Sequence, residues 1–214
     1  MLDAPAPVAA DDSAGEEPGP FFALELPDEA PVVAFLGDSV CAGLHLAEDD
    51  AFPSVLQRRL HEEGLSFKLV SSCESGRTTA GGRSALSWVL RSEPDVLVVG
   101  LGANDGLRGI ELAEVESNLR GILEGAREAG ARVLLLGIRI PPNYGQYAED
   151  FDALYPALAA EYDTAFVPFY MEGVGGVAEM NLPDGLHPTQ AGQRALADNV
   201  QPGLEAVLRD LAAN

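Results

Sequence analysis

Four short polar segments each follow an apolar stretch of the chain, and together they carry the residue types that acyl transfer requires. Ser39 is a candidate nucleophile, His187 a candidate base, and Asp184 a carboxylate that can orient the imidazole. A serine hydroxyl attacks a carbonyl group when a base removes its proton, and an imidazole held by a carboxylate is such a base. Asn104 is the uncharged polar side chain of the third segment. The segments are Gly37-Asp38-Ser39, Glu74-Ser75-Gly76-Arg77, Gly102-Ala103-Asn104-Asp105 and Asp184-Gly185-Leu186-His187.

The three histidines narrow the choice of base. His61 lies in the polar stretch RRLHEEG, which predicts a solvated helix position, and His45 lies in the acidic stretch HLAEDD with no obvious chemical partner. His187 has a carboxylate three residues before it, close enough to fix the tautomer of the imidazole. Each motif taken alone also has a structural interpretation. Asp184 and His187 can cap the last helix, Ser39 can open a helix, residues 104–106 can form a turn, and Gly76 can be a loop glycine.

Five apolar runs predict buried strands separated by amphipathic helices. Strands covered on both faces have unbroken apolar sequences, and helices between them impose right-handed crossovers and a parallel sheet. Helices are predicted near 52–64, over 111–129 and after Pro188, the last with a kink at Pro202. Polar residues that follow parallel strands meet at one edge of the sheet, where open α/β proteins bind ligands. The predicted strands are 32–37, 67–73, 95–102, 132–138 and 165–169.

In this order, the four segments resemble the sequence blocks of the SGNH (GDSL) hydrolases. FLGDSV matches the nucleophile block with Val40 in place of the usual leucine, Gly76 stands at the second-block glycine, and residues 102–105 and 184–187 match the third and fourth blocks. The stretches GANDGLRG, IRIPPNYG, PFYMEGV and DGLHPTQAGQ resemble the arylesterase subfamily, small bacterial esterases of thioesterase, protease and lysophospholipase type. The likeness covers residues 32–210. It implies a flavodoxin-like, three-layer α/β/α fold with a five-stranded parallel sheet.

The resemblance also implies a reaction and the roles of the residues that perform it. Ser39, His187 and Asp184 correspond to the catalytic triad, and the oxyanion hole corresponds to the backbone N–H groups of Ser39 and Gly76 with the side chain of Asn104. The implied reaction is the hydrolysis of acyl esters or thioesters, of arylesterase, acyl thioesterase or lysophospholipase type, with neither metal nor cofactor. A carbohydrate O-deacetylase of the same fold and a non-catalytic flavodoxin-like binding module remain alternatives.

Four further residues are candidates for substrate binding. Arg77 departs from the family, in which an acidic residue usually follows the second-block glycine, so it reverses the charge expected beside the oxyanion. Arg108 and Arg139 can meet a phosphate or carboxylate on a substrate, or form ion pairs on the acidic surface. Tyr144 belongs to the loop 139–147. That loop and the loop 171–183 are expected to wall the acyl pocket, or else to pack as ordinary loops.

The charge balance limits the partners of the protein. Its 214 residues include 34 Asp and Glu against 13 Lys and Arg, a net charge of −21, which disfavours nucleic acids and anionic membranes. No apolar run approaches the roughly 20 residues of a membrane helix. We therefore expect a monomer without stable membrane insertion that binds a small-molecule ester or thioester.

The N-terminal residues and the cysteines bear on the cellular compartment. Residues 1–30 are rich in Pro, Ala and acidic residues and predict a disordered leader before one hydrolase domain over 31–214. This leader has neither the basic start nor the apolar centre of a signal peptide, so the protein is periplasmic or exported if a signal has been removed and cytoplasmic otherwise. Cys41 lies just beyond the first predicted strand and Cys73 closes the second, and the resemblance implies that these two strands are neighbours. Free thiols are favoured over a disulfide, because nothing else indicates an oxidising compartment.

Overall fold

A computed structural model describes residues 24–213, and its centre is a five-stranded sheet. The strands are β1 (Val32–Gly37), β2 (Lys68–Cys73), β3 (Val96–Gly100), β4 (Arg132–Leu136) and β5 (Ala165–Val167). They pair in parallel in the order β2-β1-β3-β4-β5. The expected parallel sheet and α/β/α fold are confirmed. Of the predicted leader, residues 1–23 lie outside the described residues.

Three strands end two residues earlier than the sequence predicts. β3, β4 and β5 were expected to reach residues 102, 138 and 169, but pairing stops at 100, 136 and 167. The apolar pattern continues past each strand because some of the residues that follow, such as Leu101 and Ile138, are buried although they do not pair in the sheet. Apolar sequence alone therefore overestimates the length of the strands.

Six α-helices cover the two faces of the sheet. They are α1 (Phe52–Glu62), α2 (Thr79–Val89), α3 (Ala103–Arg108), α4 (Leu112–Glu128), α5 (Gln146–Tyr162) and α6 (Gln190–Ala212). α1 packs against α6 on one face, and α4 contacts both α2 and α5 on the other, as right-handed crossovers require. No helix of residues 24–213 combines the length and the apolar character needed to cross a membrane.

The sequence predicted helices between the strands but gave no bounds for α2, α3 or α5, and their compositions explain why. α2 begins Thr-Ala-Gly-Gly and buries only four residues, so it lacks a strong apolar stripe. Its first turn is capped by the Thr78 hydroxyl, which accepts a hydrogen bond from Gly81 N at 3.2 Å. α5 contains Pro156, a residue that usually ends or kinks a helix. α3 has only six residues, too few to show a period.

Cys41 and Cys73 form a disulfide, so the expectation of free thiols is wrong. β1 pairs with β2 so that Gly37 lies opposite Cys73, and the turn after β1 brings Cys41 back over this pair with 5.4 Å between the two Cα atoms. A Cβ at position 37 would lie 2.5 Å from the Cβ of Cys41, so the glycine makes room for the bridge. The disulfide ties the turn that carries Ser39 to the segment that leads to Gly76.

Candidate active site

Ser39, His187 and Asp184 form a continuous chain of hydrogen bonds at the carboxyl edge of the sheet. The Ser39 Oγ lies 3.0 Å from His187 Nε2, and His187 Nδ1 lies 2.7 Å from Asp184 Oδ2. These contacts favour the tautomer in which Nδ1 carries the proton and Nε2 accepts the proton of the serine. The two motifs thus meet across a sequence separation of 148, in an arrangement suited to activating a serine.

Asp184 is held as a carboxylate by the turn in which it lies. Its Oδ1 accepts the backbone N–H groups of Leu186 at 2.9 Å and His187 at 3.0 Å. These hydrogen bonds, first among them those from His187, hold the pKa of Asp184 well below its usual range. Gly185 closes the turn with φ of 70°, a conformation that favours glycine. The carboxylate is therefore ionised and fixed towards the imidazole at neutral pH.

Ser39 lies in a series of turns after β1, and no helix begins there, because α1 starts only at Phe52. The preceding residue, Asp38, is buried, and its Oδ1 accepts Val40 N at 3.0 Å. Burial raises the pKa of Asp38 from 3.8 to about 6, against the opposing effects of the Val40 N–H and of the charge on His187. The buried carboxylate of Asp38 adds negative electrostatic potential next to Ser39.

The segment that carries Asp184 and His187 is connected directly to the turn after Ser39. Gln193, in the first turn of α6, is fully buried, and its side-chain amide donates to Val40 O at 2.9 Å while its Oε1 accepts Phe52 N at 2.9 Å. The side-chain amide of Asn181, also buried, holds the approach to Asp184 by donating to the carbonyls of Val174 and Val177. Gln193 therefore sets the distance between two segments that are remote in sequence.

The candidate oxyanion donors lie on the loops that follow β2 and β3. Asn104, at the start of α3, donates through Nδ2 to Arg77 O at 3.1 Å and over a longer 3.4 Å to Asp38 Oδ2. Gly76 adopts φ of 78°, which glycine tolerates without strain. Arg108 Nη2 donates both to Gly76 O at 3.2 Å and to Asn104 Oδ1 at 3.4 Å. One guanidinium thereby connects the two loops.

Asp105, the neighbour of Asn104, has a structural role. It is fully buried, and its carboxylate accepts the backbone N–H of Thr79 at 2.9 Å and the hydroxyl of the same residue at 2.6 Å. Asn118 of α4 donates to that hydroxyl at 3.3 Å. This buried network fixes α3 against the start of α2 and so holds Asn104 in place.

Ser39, Asn104 and His187 line one side of a cleft of about 610 Å³. The two predicted loops contribute to its walls, so they do more than pack against the fold. α3 contributes Leu107, which sequence reasoning did not assign to the site. The apolar part of the lining comprises Val40, Leu107, Ile140, Pro141, Pro142, Phe169, Met171 and Leu186. A second cavity in the described part of the chain, of about 630 Å³, contains no serine, cysteine or histidine.

The four candidate substrate-binding residues occupy different positions. Arg77 does not line the cleft, because its guanidinium binds the backbone carbonyl of Ser72 and pairs with Glu74 at 2.6 Å, which offsets its charge beside the oxyanion site. Arg139 lines the cleft, lies 3.8 Å from Asp152 and stacks over the Phe169 ring.

The other two candidates, Arg108 and Tyr144, form hydrogen bonds to neighbouring residues of the site. Arg108 binds Gly76 and Asn104, as described above. Within residues 24–213, no ion pair of Arg108 is observed. Tyr144 does not line the cleft, but its hydroxyl donates to Leu107 O at 3.0 Å and so holds a residue that does. His45, to which the sequence gave no partner, lies beside the ring of His187.

Residues 35–195 match the model of the GDSL-like lipase/acylhydrolase family. The chain belongs to this family. The chain is 45% identical over 181 residues to esterase TesA of Pseudomonas aeruginosa, which covers 84% of this chain and 90% of that protein. It is 37% identical over 171 residues to thioesterase 1/protease 1/lysophospholipase L1 of Escherichia coli K12, covering 79% and 81%. The crystal structure of TesA superposes with a TM-score of 0.79 at 44% identity, covering 82% of this chain and 99% of that one.

Two residues of this GDSL-family hydrolase that shape the site were not identified from the sequence. Gln193 lies in the stretch HPTQAGQ, and nothing in its spacing indicates that its amide reaches Val40 O. Asp38 lies in the nucleophile block, but nothing in the block indicates that it is buried and in contact with Asn104 of α3. Both follow from tertiary contacts between distant segments, which a single sequence does not reveal.

Proposed function

We propose that this GDSL-family hydrolase cleaves acyl esters and thioesters with Ser39 as nucleophile, His187 as general base and Asp184 as the carboxylate that orients the imidazole. The observation that carries the proposal is the 3.0 Å contact between Ser39 Oγ and His187 Nε2 at the wall of an apolar cleft. A nucleophile within hydrogen-bond distance of a base that is itself oriented is the geometric requirement of serine catalysis.

The proposed reaction has two stages, the acylation of Ser39 and its deacylation by water. Ser39 Oγ attacks the carbonyl carbon while its proton passes to His187 Nε2, and the ionised Asp184 stabilises the imidazolium. The negative charge that forms on the carbonyl oxygen is stabilised by the N–H groups of Ser39 and Gly76 and by the amide of Asn104. His187 then gives its proton to the leaving alcohol or thiol. A water molecule repeats the attack on the acyl-serine, His187 again takes and returns one proton, and the acid is released.

The lining of the cleft supports an acyl chain as the group that is bound. Leucine, isoleucine, proline, phenylalanine and methionine side chains contribute most of the walls. Apart from Asp38 and His187 beside Ser39, the charged groups are Arg139 and Asp152, which pair with each other. Apolar walls favour hydrocarbon over polyhydroxylated substrates, because burying hydroxyl groups without partners is unfavourable. We therefore favour arylesterase, thioesterase or lysophospholipase substrates over acetylated sugars. The relatives' names agree with this choice.

The disulfide supports placing the protein in an oxidising compartment such as the periplasm. Disulfides persist in exported proteins and are rare where thiols are kept reduced. Fractionation of the source cells, with the disulfide assayed in each fraction, tests this proposal. Recovery in the cytoplasm with free thiols would contradict it.

Covalent labelling tests the nucleophile directly. A fluorophosphonate should label the wild-type protein and Ser84→Ala, in which an exposed helix serine is removed, but should not label Ser39→Ala. The same three proteins are then assayed with p-nitrophenyl esters of increasing chain length, an acyl thioester and an acetylated glycan. Labelling of Ser39→Ala would refute the assignment of the nucleophile, and hydrolysis of the glycan alone would refute the choice of substrate.

A further inference from the structure

A second histidine lies beside the candidate base, and the proposed mechanism gives it no role. The ring centroids of His45 and His187 are 6.0 Å apart with their planes nearly perpendicular, at 89°. The ligand atoms of His45, Asp184 and His187 all lie within 4.8 Å of one another. Two imidazoles and one carboxylate thus converge, and one of them, His187, lines the cleft.

We propose that these three residues bind a divalent transition metal ion, Zn²⁺ in particular, and that the bound ion switches off hydrolysis; the inhibitory effect rests on the proposed function. Two histidines and an acidic residue are a set of three ligands that holds Zn²⁺ in many proteins, with water in the fourth position. Metal–ligand distances of about 2.0–2.2 Å place tetrahedral ligand atoms about 3.3–3.6 Å apart. Side-chain rotations of roughly 1 Å therefore suffice, either to bring the ligand atoms together from 4.8 Å or, for coordination through Nδ1, to separate His187 Nδ1 and Asp184 Oδ2 from 2.7 Å.

The backbone around His45 holds the ring in this position. His45 has φ of 72° in the left-handed region, and the turn that contains it is connected to the nucleophile by the hydrogen bond from Leu44 N to Ser39 O at 3.1 Å. Leu46 N also donates to Gly43 O at 2.9 Å. The imidazole is thus attached to the same turn as Ser39, so its distance from His187 follows from the fold.

The surroundings permit a metal ion to enter. His45 and Asp184 are exposed and His187 is partly exposed, so an ion reaches all three from solvent. The net charge of −21 raises the local concentration of cations at the surface.

Coordination and catalysis exclude each other because both nitrogens of His187 are used in hydrolysis. If the ion takes Nε2, the lone pair that accepts the proton of Ser39 is lost. If the ion takes Nδ1, the ring proton that faced Asp184 must move to Nε2, which then has no lone pair to accept the proton of Ser39. In either case His187 no longer acts as a base, so inhibition is expected to be complete at saturation and to be reversed by a chelator.

The decisive variant is His45→Asn, with His61→Asn as its control. Asparagine tolerates the left-handed backbone and its amide is a poor ligand for Zn²⁺, so the variant removes the ligand with little strain. His61 bonds Ser66 Oγ at 2.8 Å from α1, outside the three-residue cluster. Each protein is freed of metal with EDTA, titrated with ZnCl₂ and assayed with p-nitrophenyl acetate, and each rate is normalised to the metal-free rate of the same protein. The inhibitory concentration should rise at least tenfold in His45→Asn and stay unchanged in His61→Asn.

Calorimetry on Ser39→Ala provides a measurement that does not depend on activity, since this variant keeps all three ligands. We expect one Zn²⁺ per chain, and a loss of that binding when His45→Asn is added. Equal inhibition of the wild type and His45→Asn, or no stoichiometric binding to Ser39→Ala, would overturn the metal site. Residual hydrolysis by Ser39→Ala would instead refute the proposed function and leave the calorimetric result as the test of the site.

Discussion

Replacing the buried Asp38 by asparagine should stabilise the fold while weakening catalysis. The carboxylate is nearly inaccessible to solvent, and burial raises its pKa from 3.8 to about 6. Asparagine has the same shape, and its Oδ1 can still accept the hydrogen bond from Val40 N. The substitution therefore removes the buried charge and keeps the best-formed contact of the side chain.

The size and the pH dependence of the effect follow from the two pKa values. The difference between about 6 and 3.8, at 1.36 kcal/mol for each pKa unit, corresponds to about 3 kcal/mol of destabilisation by ionised Asp38. Because the pKa is higher in the folded protein than in the unfolded one, this destabilisation is complete above about pH 7 and absent below about pH 4. Asp38→Asn should thus exceed the wild type in free energy of unfolding by about 2–3 kcal/mol at pH 8, and the two proteins should converge between pH 6 and pH 4.

Denaturant unfolding from pH 4 to pH 8 measures this difference. Glu128→Gln, which neutralises an exposed residue of α4, serves as the control and should change the free energy of unfolding by less than about 0.5 kcal/mol. In Asp38→Asn the amide that replaces Oδ2 faces Asn104 Nδ2, donor against donor, so kcat should fall about tenfold. A difference in stability that is constant with pH, or that grows towards acid, would refute the reasoning.

Four further outcomes are expected. Asn104→Ala should lower kcat by about 10²–10³-fold with little change in KM, because its amide acts mainly in the transition state; a change in KM alone would make it a binding residue. Arg108→Met, which frees both Asn104 and Gly76, should lower kcat by about tenfold, and an unchanged kcat would show that the loops keep their positions without it. Thiol titration of the denatured, unreduced protein should find no free thiol, and reduction should lower the free energy of unfolding by about 3–4 kcal/mol for a bridge that spans 32 positions; two thiols would contradict the bridge. The Tm should rise between low salt and 1 M NaCl, where the Debye length falls to about 3 Å, because 34 carboxylates face 13 Lys and Arg; a flat Tm would show that the charges are already compensated.

The sequence predicted those parts of the fold that depend on local pattern. β1, β3 and β4 are buried on both faces, and their unbroken apolar runs indicate this directly. α4 was predicted to within two residues at its start and end, because its apolar stripe repeats over four turns. α2 and α5 have glycines or a proline where a helix pattern needs strong formers, and their helical state depends on tertiary packing.

The candidate site likewise contains features that the sequence predicted and features that depend on tertiary contacts. The order of the four blocks indicated which residues converge, because parallel strands deliver them to one edge of the sheet. The disulfide was not predicted because the cellular compartment was inferred from composition. In the structure, Gly37 pairs with Cys73, and the turn after β1 brings Cys41 over this pair, so the two sulfurs lie together. Arg77 and Arg108 could not be told apart as candidates for substrate binding. Their roles depend on the groups that each guanidinium contacts, Glu74 for Arg77 and Asn104 for Arg108.

The buried amide of Gln193 has a consequence for the second half of the reaction. In the proposed mechanism, Ser39 Oγ no longer donates a proton to His187 once it is acylated, so the direct hydrogen bond between the two residues is lost. The hydrogen bonds from Gln193 to Val40 O and from Phe52 N to Gln193 are neutral and take no part in the proposed proton transfer, so we expect them to persist in the acylated protein. They would keep the imidazole at the distance from the acyl-serine that the incoming water requires. We therefore expect deacylation, more than acylation, to depend on this buried amide.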